Sequence, residues 1–214
     1  VATEERRKVN EWFFKTRKGE YGYGDIFLGI TMPNIRRIAK KFSQEISLQE
    51  LTKLIQSPIH EVRLCALIIL VNKYNKEEPD RIYHYYLKHL NSINNWDLVD
   101  SSAPYIVGDY LYNNQEQSKI LLEFSQSENL WVRRISIVST FAFIKNNEFN
   151  KTLEIAKLLL NDDQDLIHKA VGWMLREIYK RDKRIIKRFL KQNYALIPRT
   201  TLRYAIERMD KEER

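Results

Sequence analysis

Charged side chains of three kinds recur at one position of a repeated pattern in this 214-residue chain. The pattern appears in four segments that can be aligned at one apolar residue each: EVRLCALIIL, DLVDSSAPYI, WVRRISIVST and LIHKAVGWML. The aligned apolar residues are Val62, Leu98, Val132 and Ile167. The residues two places further on are Leu64, Asp100, Arg134 and Lys169. A carboxylate, a guanidinium and an ammonium group in one column indicate a polar face, because ionisable side chains are seldom buried without partners.

Two tryptophans share a helical face with this column. Trp96 lies four residues before Asp100, and Trp173 lies four residues after Lys169. Residues four apart are neighbours on one side of a helix. Each indole is therefore predicted to lie beside a charged member of the column.

Three nearby residues have ordinary structural explanations. Large aromatic side chains usually pack in a core, and we predict this role for Trp12 and Trp131. Asp97 follows Asn95 in the first turn of a predicted helix, where the helix dipole explains a carboxylate. The candidate acid is therefore Asp100.

The spacing of the repeated segments predicts the architecture. The intervals between the aligned apolar residues are 36, 34 and 35 residues. A near-constant period of this length is typical of stacked helix pairs of the HEAT and armadillo kind, in which equivalent positions line up across one surface. We therefore predict an all-α fold in a single domain of residues 1–214. It would be an α-α superhelix of HEAT-like repeats, forming a C-shaped solenoid.

Helices joined by short turns account for the whole chain, which has only 6 Gly and 5 Pro. In the first predicted helix Val9, Trp12 and Phe13 share an apolar face, and the second begins at Thr31. Further helices are predicted at about residues 48–56, 59–74, 79–90, 96–112, 115–125, 130–145, 149–160, 165–180, 183–192 and 199–209. Three of them have a capping residue in place: Ser47, Asn95 and Asn129.

Composition limits the partners and the cellular setting. The 36 Lys and Arg exceed the 28 Asp and Glu by a net charge of +8, which favours either a polyanionic partner or simple solubility. The single cysteine, Cys65, excludes a disulfide framework within the chain, and no apolar stretch is long enough for a membrane span. We expect a soluble, cytoplasmic protein. No metal site or cofactor is predicted, because no ligand spacing joins the four histidines His60, His84, His89 and His168.

Several segments together resemble one known family. The segments WDLVDSSAP, YIVGDYL, LWVRRISIV and HKAVGWMLRE, in this order and spacing, closely resemble the AlkD-type DNA alkylation repair glycosylases. The segment YGYGDIFLGITMPNIRRIAKKF resembles the N-terminal portion of the same family. The resemblance spans nearly the whole chain. It implies a concave DNA-binding face and, as partner, duplex DNA that contains alkylated purines.

The resemblance also implies the site residues and their roles. The active-site positions of the family match Trp96, Asp100, Arg134 and Trp173. A purine alkylated at N3 or N7 is cationic and leaves as a neutral base, so Asp100 would stabilise positive charge on the sugar and orient water. The indoles would flank the sugar, and Arg134 would hold a phosphate. Further DNA contacts are assigned to Tyr21 or Tyr23, Lys169, Arg176, Arg133 and Arg203.

Two other functions stay open on the sequence alone. These are a non-catalytic binder of damaged or bent DNA and a protein-interaction scaffold. The run KRDKRIIKRFLK either tracks phosphates or forms a solvated helix face, and Lys169 leaves a lyase activity open. The leading prediction is a monomeric, monofunctional glycosylase without an obligate protein partner, associated with the nucleoid in a prokaryote. It would excise cationic bases such as 3-methyladenine and 7-methylguanine and tolerate bulky adducts.

Overall fold

The computed structural model describes residues 2–76 and 78–213, which form helices joined by turns. The chain folds into two compact units that divide between Ser102 and Ala103, and each unit has its own apolar core. Within the described residues the only β-pairing is an isolated bridge between Ile26 and Ile59. The predicted all-α class is confirmed. A single domain over residues 1–214 stays a prediction.

The first unit contains six α-helices among its described residues. They are α1 (Glu4–Phe13), α2 (Met32–Phe42), α3 (Leu48–Ile55), α4 (His60–Tyr74), α5 (Pro79–Lys88) and α6 (Trp96–Asp100). Helix α4 is the centre of this unit, because α2, α3, α5 and α6 all pack against it. The side chains of Leu67 and Leu70 in its apolar run are fully buried.

The second unit contains eight α-helices among its described residues. They are α7 (Asp109–Asn113), α8 (Ile120–Ser125), α9 (Leu130–Ser139), α10 (Phe141–Lys145), α11 (Asn150–Leu158), α12 (Asp165–Tyr179), α13 (Lys183–Asn193) and α14 (Arg199–Ala205). Helix α12 is the centre here and packs against α9, α11, α13 and α14. Short 3-10 segments follow several of these helices and complete the turns.

Helix starts follow the capping signals in the sequence. Ser47 and Glu50 form a capping box at the start of α3, with the Ser47 side chain accepting from the Glu50 N–H. The side chain of Asn95 accepts from Trp96 N–H, and that of Asn129 accepts from Trp131 N–H. The three predicted caps are therefore confirmed.

The repeat is visible in hydrogen bonds at equivalent positions. In three of the four segments, the residue directly after the aligned apolar residue uses its side chain to bind a backbone carbonyl. That carbonyl belongs to the residue six positions before it. These pairs are Arg63 with Ser57, Arg133 with Ser127, and His168 with Asp162. The same local geometry at the predicted period supports the alignment, and it ties each central helix to the turn before it.

Three predicted helices are interrupted in the structure. The one predicted at 115–125 begins as a 3-10 segment, Gln115–Gln117, and is α-helical only from Ile120. The helix predicted at 96–112 ends at Asp100, because Pro104 has no N–H to continue the ladder. A π-helical turn, Pro104–Gly108, follows, in which Gly108 N–H donates to Ala103 O at 2.8 Å. The helix predicted at 130–145 breaks at Thr140, whose hydroxyl donates to Ile137 O at 2.7 Å.

Helix α1 presents its apolar side outward. Three residues on that side are exposed: Val9 by 57%, Trp12 by 65% and Phe13 by 51%. The opposite side faces the protein, where the Asn10 amide donates to the buried Glu61 carboxylate at 3.5 Å. Placement of Trp12 in the core is therefore wrong, because the hydrogen bond that holds α1 to Glu61 lies on the side of the helix opposite Trp12. The same prediction for Trp131 is confirmed, since that residue is 8% exposed.

Gly172 lies where α12 and α14 pack against each other. A Cβ atom at this position would lie 2.5 Å from the Tyr204 Cβ and 2.6 Å from the Thr201 carbonyl oxygen. We expect Gly172→Ala to lower the free energy of unfolding by about 2 kcal/mol in urea denaturation, although alanine is the better helix former. The control Arg188→Ala, at an exposed position of α13, should change it by less than about 0.5 kcal/mol. Unchanged stability of Gly172→Ala would contradict this close packing.

No helix within residues 2–76 and 78–213 is long and apolar enough to cross a membrane.

Candidate active site

Trp96 and Asp100 lie one turn apart on the short helix α6. The Asn95 side chain fixes the start of this helix by accepting from the Trp96 N–H at 2.8 Å. Both Trp96 and Asp100 are half-buried, whereas Leu98 and Val99 between them are fully buried. The predicted pairing of one indole with one carboxylate on a helical face is therefore present in the first unit.

The Trp96 ring is held by two phenylalanines from the end of α1. Phe14 stacks on it with ring centres 5.3 Å apart and planes 17° apart. The Phe13 ring packs nearly perpendicular to it, with centres 5.7 Å apart and planes 77° apart. Aromatic pairs favour these stacked and edge geometries, so the orientation of the indole is well defined.

A buried histidine lies between two carboxylates directly under this helix. His60 Nδ1 is 3.0 Å from Asp25 Oδ2, and His60 Nε2 is 2.8 Å from Asp97 Oδ2. Carboxylates accept hydrogen bonds, so both ring nitrogens donate and the imidazole is the charged form. Asp97 therefore has two roles: it lies in the first turn of α6, as the helix dipole favours, and it also binds His60.

The surroundings of His60 stabilise its positive charge. Burial opposes that charge, but the hydrogen bonds and negative charges of Asp25 and Asp97 raise the pKa of His60 to about 9. The rings of Phe27 and Phe14 lie 4.5 Å and 4.9 Å from the imidazole ring. Aromatic faces attract cations, which adds to the stabilisation.

Arg63 completes this cluster on the Asp25 side. Its guanidinium donates to Asp25 Oδ1 at 2.7 Å and to Asn94 Oδ1 at 3.0 Å. Burial alone would raise the pKa of the Asp25 carboxyl, but the His60 hydrogen bond and the Arg63 charge lower it. The cluster therefore joins the loop that contains Asp25, the start of α4 and the start of α6.

The sequence prediction missed this cluster, although a signal for it was present. Asp25, His60 and Asp97 are 35 and 37 residues apart, which is close to the repeat period. Residues from successive repeats at this spacing are expected to be neighbours. Within the described part of the chain, no group of three or more His, Cys, Asp and Glu side chains is arranged to hold a metal ion.

The buried side of α6 is anchored by Tyr86 of α5. The Tyr86 hydroxyl is 2.9 Å from Ser102 Oγ, and the Ser102 hydroxyl donates to Leu98 O at 2.6 Å. Burial raises the pKa of Tyr86 strongly, and the negative charge of Asp100 adds to this effect.

The second unit carries Arg134 on α9 and Trp173 on α12, two helices that pack together. Arg134 is only 5% exposed, and its guanidinium donates to Leu166 O at the start of α12. Trp173 is half-buried, and the Phe141 ring lies 6.2 Å from it.

Lys145 is an exposed cation close to Phe141 in the second unit, and the sequence prediction missed it. Its Nζ lies 5.0 Å from the centre of the Phe141 ring and 5.2 Å from that of Tyr105. The two aromatic rings hold this cation near Trp173, because Phe141 contacts both residues.

Three of the predicted DNA-contact cations are engaged within the second unit. Lys169 pairs with Asp165 at 2.8 Å, and Arg176 pairs with Glu207. The guanidinium of Arg133 donates to both oxygens of Asp162, at 2.6 Å and 3.3 Å, and also to Ser127 O. Arg133 therefore connects parts of the repeat, and we leave it out of the proposed DNA contacts.

Exposure separates the remaining predicted DNA contacts. Tyr23 is 63% exposed, whereas Tyr21 is half-buried and its hydroxyl donates to Phe13 O at 3.4 Å. The contact between DNA and one of these two tyrosines stays a prediction, and exposure favours Tyr23. Arg203 is exposed, and its guanidinium carbon lies 5.5 Å from the centre of the Tyr204 ring.

Helix pairs at a period of about 35 residues, with an acid and an indole on one helical turn, define an α-helical repeat protein with a candidate active site. A family model described as "DNA alkylation repair enzyme" matches residues 1–209. The chain belongs to this family. A comparison with curated proteins found no match.

Three solved structures show the same fold at low sequence identity. A predicted DNA alkylation repair enzyme from Enterococcus faecalis is similar with a TM-score of 0.79 and 16% identity, covering 98% of this chain and 97% of that one. AlkD2 from Streptococcus mutans is similar with a TM-score of 0.64 and 17% identity, covering 97% and 99%. The protein smu.31 from Streptococcus mutans UA159 is similar with a TM-score of 0.61 and 20% identity, covering 84% and 93%.

Proposed function

We propose that the protein is a monofunctional DNA glycosylase that hydrolyses the N-glycosidic bond of cationic N3- and N7-alkylated purines in duplex DNA. Family membership supports a role in DNA alkylation repair. The observation that carries the glycosylase proposal is the pairing of Asp100 with Trp96 on α6, both half-buried and anchored from beneath. A carboxylate and an indole in this arrangement suit a substrate that becomes cationic on its sugar.

The chemistry requires little proton transfer from the protein. An alkylated purine of this kind already carries a positive charge, so it leaves as a neutral base once the bond to C1′ breaks. The electron pair of that bond goes to the base, and positive charge develops on the deoxyribose. Asp100 stabilises this charge and orients the water that adds to C1′, and the proton released from the water passes to solvent.

The indoles and the arginine have supporting roles in this proposal. Trp96 in the first unit presents a flat face that attracts a cationic sugar, an effect worth about 0.5–2 kcal/mol, and we assign the same kind of contact to Trp173 in the second unit. Arg134 in the second unit is assigned to a phosphate of the bound DNA. We also propose DNA-backbone contacts for Tyr23 in the first unit and for Arg203 in the second, and for Lys169 and Arg176 if they exchange their present carboxylate partners for phosphates.

A direct assay tests the proposal. The protein is incubated with duplex DNA methylated to contain 7-methylguanine and 3-methyladenine, and the free bases are separated and counted. We expect both bases to be released, without strand cleavage, while neutral lesions react poorly. Intact binding of this DNA without release of either base would overturn the glycosylase proposal.

A non-catalytic binder of damaged DNA is the second candidate. The observation that favours it is the burial of Arg134, whose guanidinium already donates to the backbone of α12. The same assay separates the two candidates, since a binder retains affinity and releases no base. A steep loss of affinity with salt would distinguish either of them from a protein scaffold.

A further inference from the structure

Helix α1 carries an apolar surface that its own unit leaves uncovered. We call Val9, Trp12 and Phe13 the α1 ledge; each of these residues is more than half exposed. No residue of this helix is buried. Contiguous exposed apolar surface on a folded protein generally marks an interaction site, because leaving it in water is unfavourable.

The packing of α1 fixes the direction of the ledge. On the other side of the helix, a Cβ at Gly29 would lie 2.4 Å from Thr3 O and 2.6 Å from Arg7 N, so the backbones are in direct contact there. Glu61 accepts from Asn10 and from the backbone N–H of Gly29, at 3.5 Å and 2.8 Å. A rotation of α1 that buried the ledge would break these contacts and leave the buried Glu61 carboxylate with fewer partners.

The ledge is continuous with the proposed active site. The Phe13 ring packs nearly perpendicular to the Trp96 ring, with ring centres 5.7 Å apart. The carbonyl oxygen of Phe13 accepts from Tyr21, which ties the ledge to the loop that carries the exposed Tyr23. A ligand seated over Trp96 in the first unit is therefore next to the ledge.

The charge around the ledge matches a polyanion. Lys15 Nζ lies 5.4 Å from the centre of the Trp12 ring, and it is one of several exposed cations on and just after α1. The exposed cations in this segment are Arg6, Lys8, Lys15, Arg17 and Lys18. Residues 4–20 contain six Lys and Arg against four Glu, so the segment is positive on balance although Glu4 pairs with Arg7 and Lys8 at 2.7 Å and 4.0 Å and Glu11 pairs with Arg7 at 3.7 Å.

We infer that the α1 ledge is a second contact to duplex DNA, in which Trp12 packs against a sugar or an exposed base edge next to the lesion. This inference rests on the proposed function, because it takes DNA as the ligand at Trp96. An indole face can pack on the apolar surface of a deoxyribose whatever base it carries, and the surrounding cations meet the phosphates on either side. The ledge therefore adds affinity for DNA in general and not selectivity for the damaged base.

Binding of undamaged duplex DNA to the full chain tests this inference. Trp12→Ala is expected to weaken binding about tenfold in fluorescence anisotropy without changing its salt dependence, and Trp12→Phe to retain most of the affinity. Lys15→Ala should make the slope of log affinity against log salt less steep, by about the amount that one phosphate contact contributes. The control Tyr194→Ala, which removes an aromatic residue that is 71% exposed in the second unit, should bind as the unmodified protein does.

The outcomes separate this inference from the glycosylase proposal. Weaker DNA binding by Trp12→Ala supports the inference even if the unmodified protein releases no base. Unchanged affinity of a folded Trp12→Ala overturns it, even if base release is normal. A dimer in sedimentation velocity that Trp12→Ala converts to a monomer, with DNA affinity unchanged, would also overturn it and assign the ledge to a second copy of the chain.

Discussion

Asp100→Asn is expected to lower the rate of base release by at least about a hundredfold. Asparagine has nearly the same shape as aspartate and keeps a hydrogen-bond acceptor, but it carries no negative charge. The positive charge that develops on the sugar then loses its main stabilising partner, and water is oriented less well. Duplex DNA should bind as tightly or more tightly, because a negative charge near the phosphates has been removed.

The measurement is single-turnover release of 7-methylguanine with the protein in excess, together with the dissociation constant for the same duplex. Asp163→Asn is the matched control, since Asp163 is an exposed carboxylate in the turn before α12. We expect this control to release base at the normal rate. A folded Asp100→Asn variant that releases base as fast as the control would show that another group stabilises the sugar.

The largest expected effect on stability comes from His60. The pKa of His60 in the folded protein is about 9, above the ordinary value of 6.5 that we take for the unfolded chain. The charged imidazole therefore stabilises the fold in full below about pH 6.5, and this stabilisation is lost as the pH rises to about 9. A shift of this size corresponds to a loss on the order of 3 kcal/mol.

Urea denaturation between pH 6 and pH 10 tests this expectation. The free energy of unfolding should fall across that range in the unmodified protein and change much less in His60→Gln, which carries no titrating group between Asp25 and Asp97. His84→Gln is the matched control, because His84 is an exposed histidine on α5 and should leave the pH dependence intact. A His60→Gln variant with the same pH dependence as the unmodified protein would rule out the charged histidine.

A second effect of His60→Gln concerns the site itself. The histidine joins Asp97 at the start of α6 to the loop that carries Asp25, and α6 carries Trp96 and Asp100. Without the charge, the two carboxylates repel each other and the start of α6 is held less firmly. We therefore expect slower base release at neutral pH even under conditions where the variant is fully folded.

Local signals in the sequence predicted most of the helices and their starts. Ser47, Asn95 and Asn129 cap helices as expected, because a capping side chain binds backbone groups within three residues of itself. The two helices predicted as continuous through Pro104 and Thr140 were wrong in length. Both breaks have local causes too, namely a missing N–H group and a hydroxyl that binds the preceding turn.

The repeat period and the placement of Trp96 beside Asp100 were also determined by the sequence by itself. Period and helical spacing are properties of the order of residues, and they hold wherever the helices pack. The resemblance of the motifs to one family was sufficient to predict the family, which the match over residues 1–209 confirms. The roles assigned to the site residues remain proposals.

Only the tertiary structure decided which faces are buried and which charges are paired. Trp12 lies outward although its helix face is apolar, because Glu61 draws the polar side of α1 toward the protein. Arg133 binds Asp162 although it stands next to a predicted site residue. The charge on His60 depends on two carboxylates about one repeat away on either side. The repeat period indicates which residues of successive repeats are neighbours, but burial and ion pairing of this kind depend on how distant parts of the chain pack.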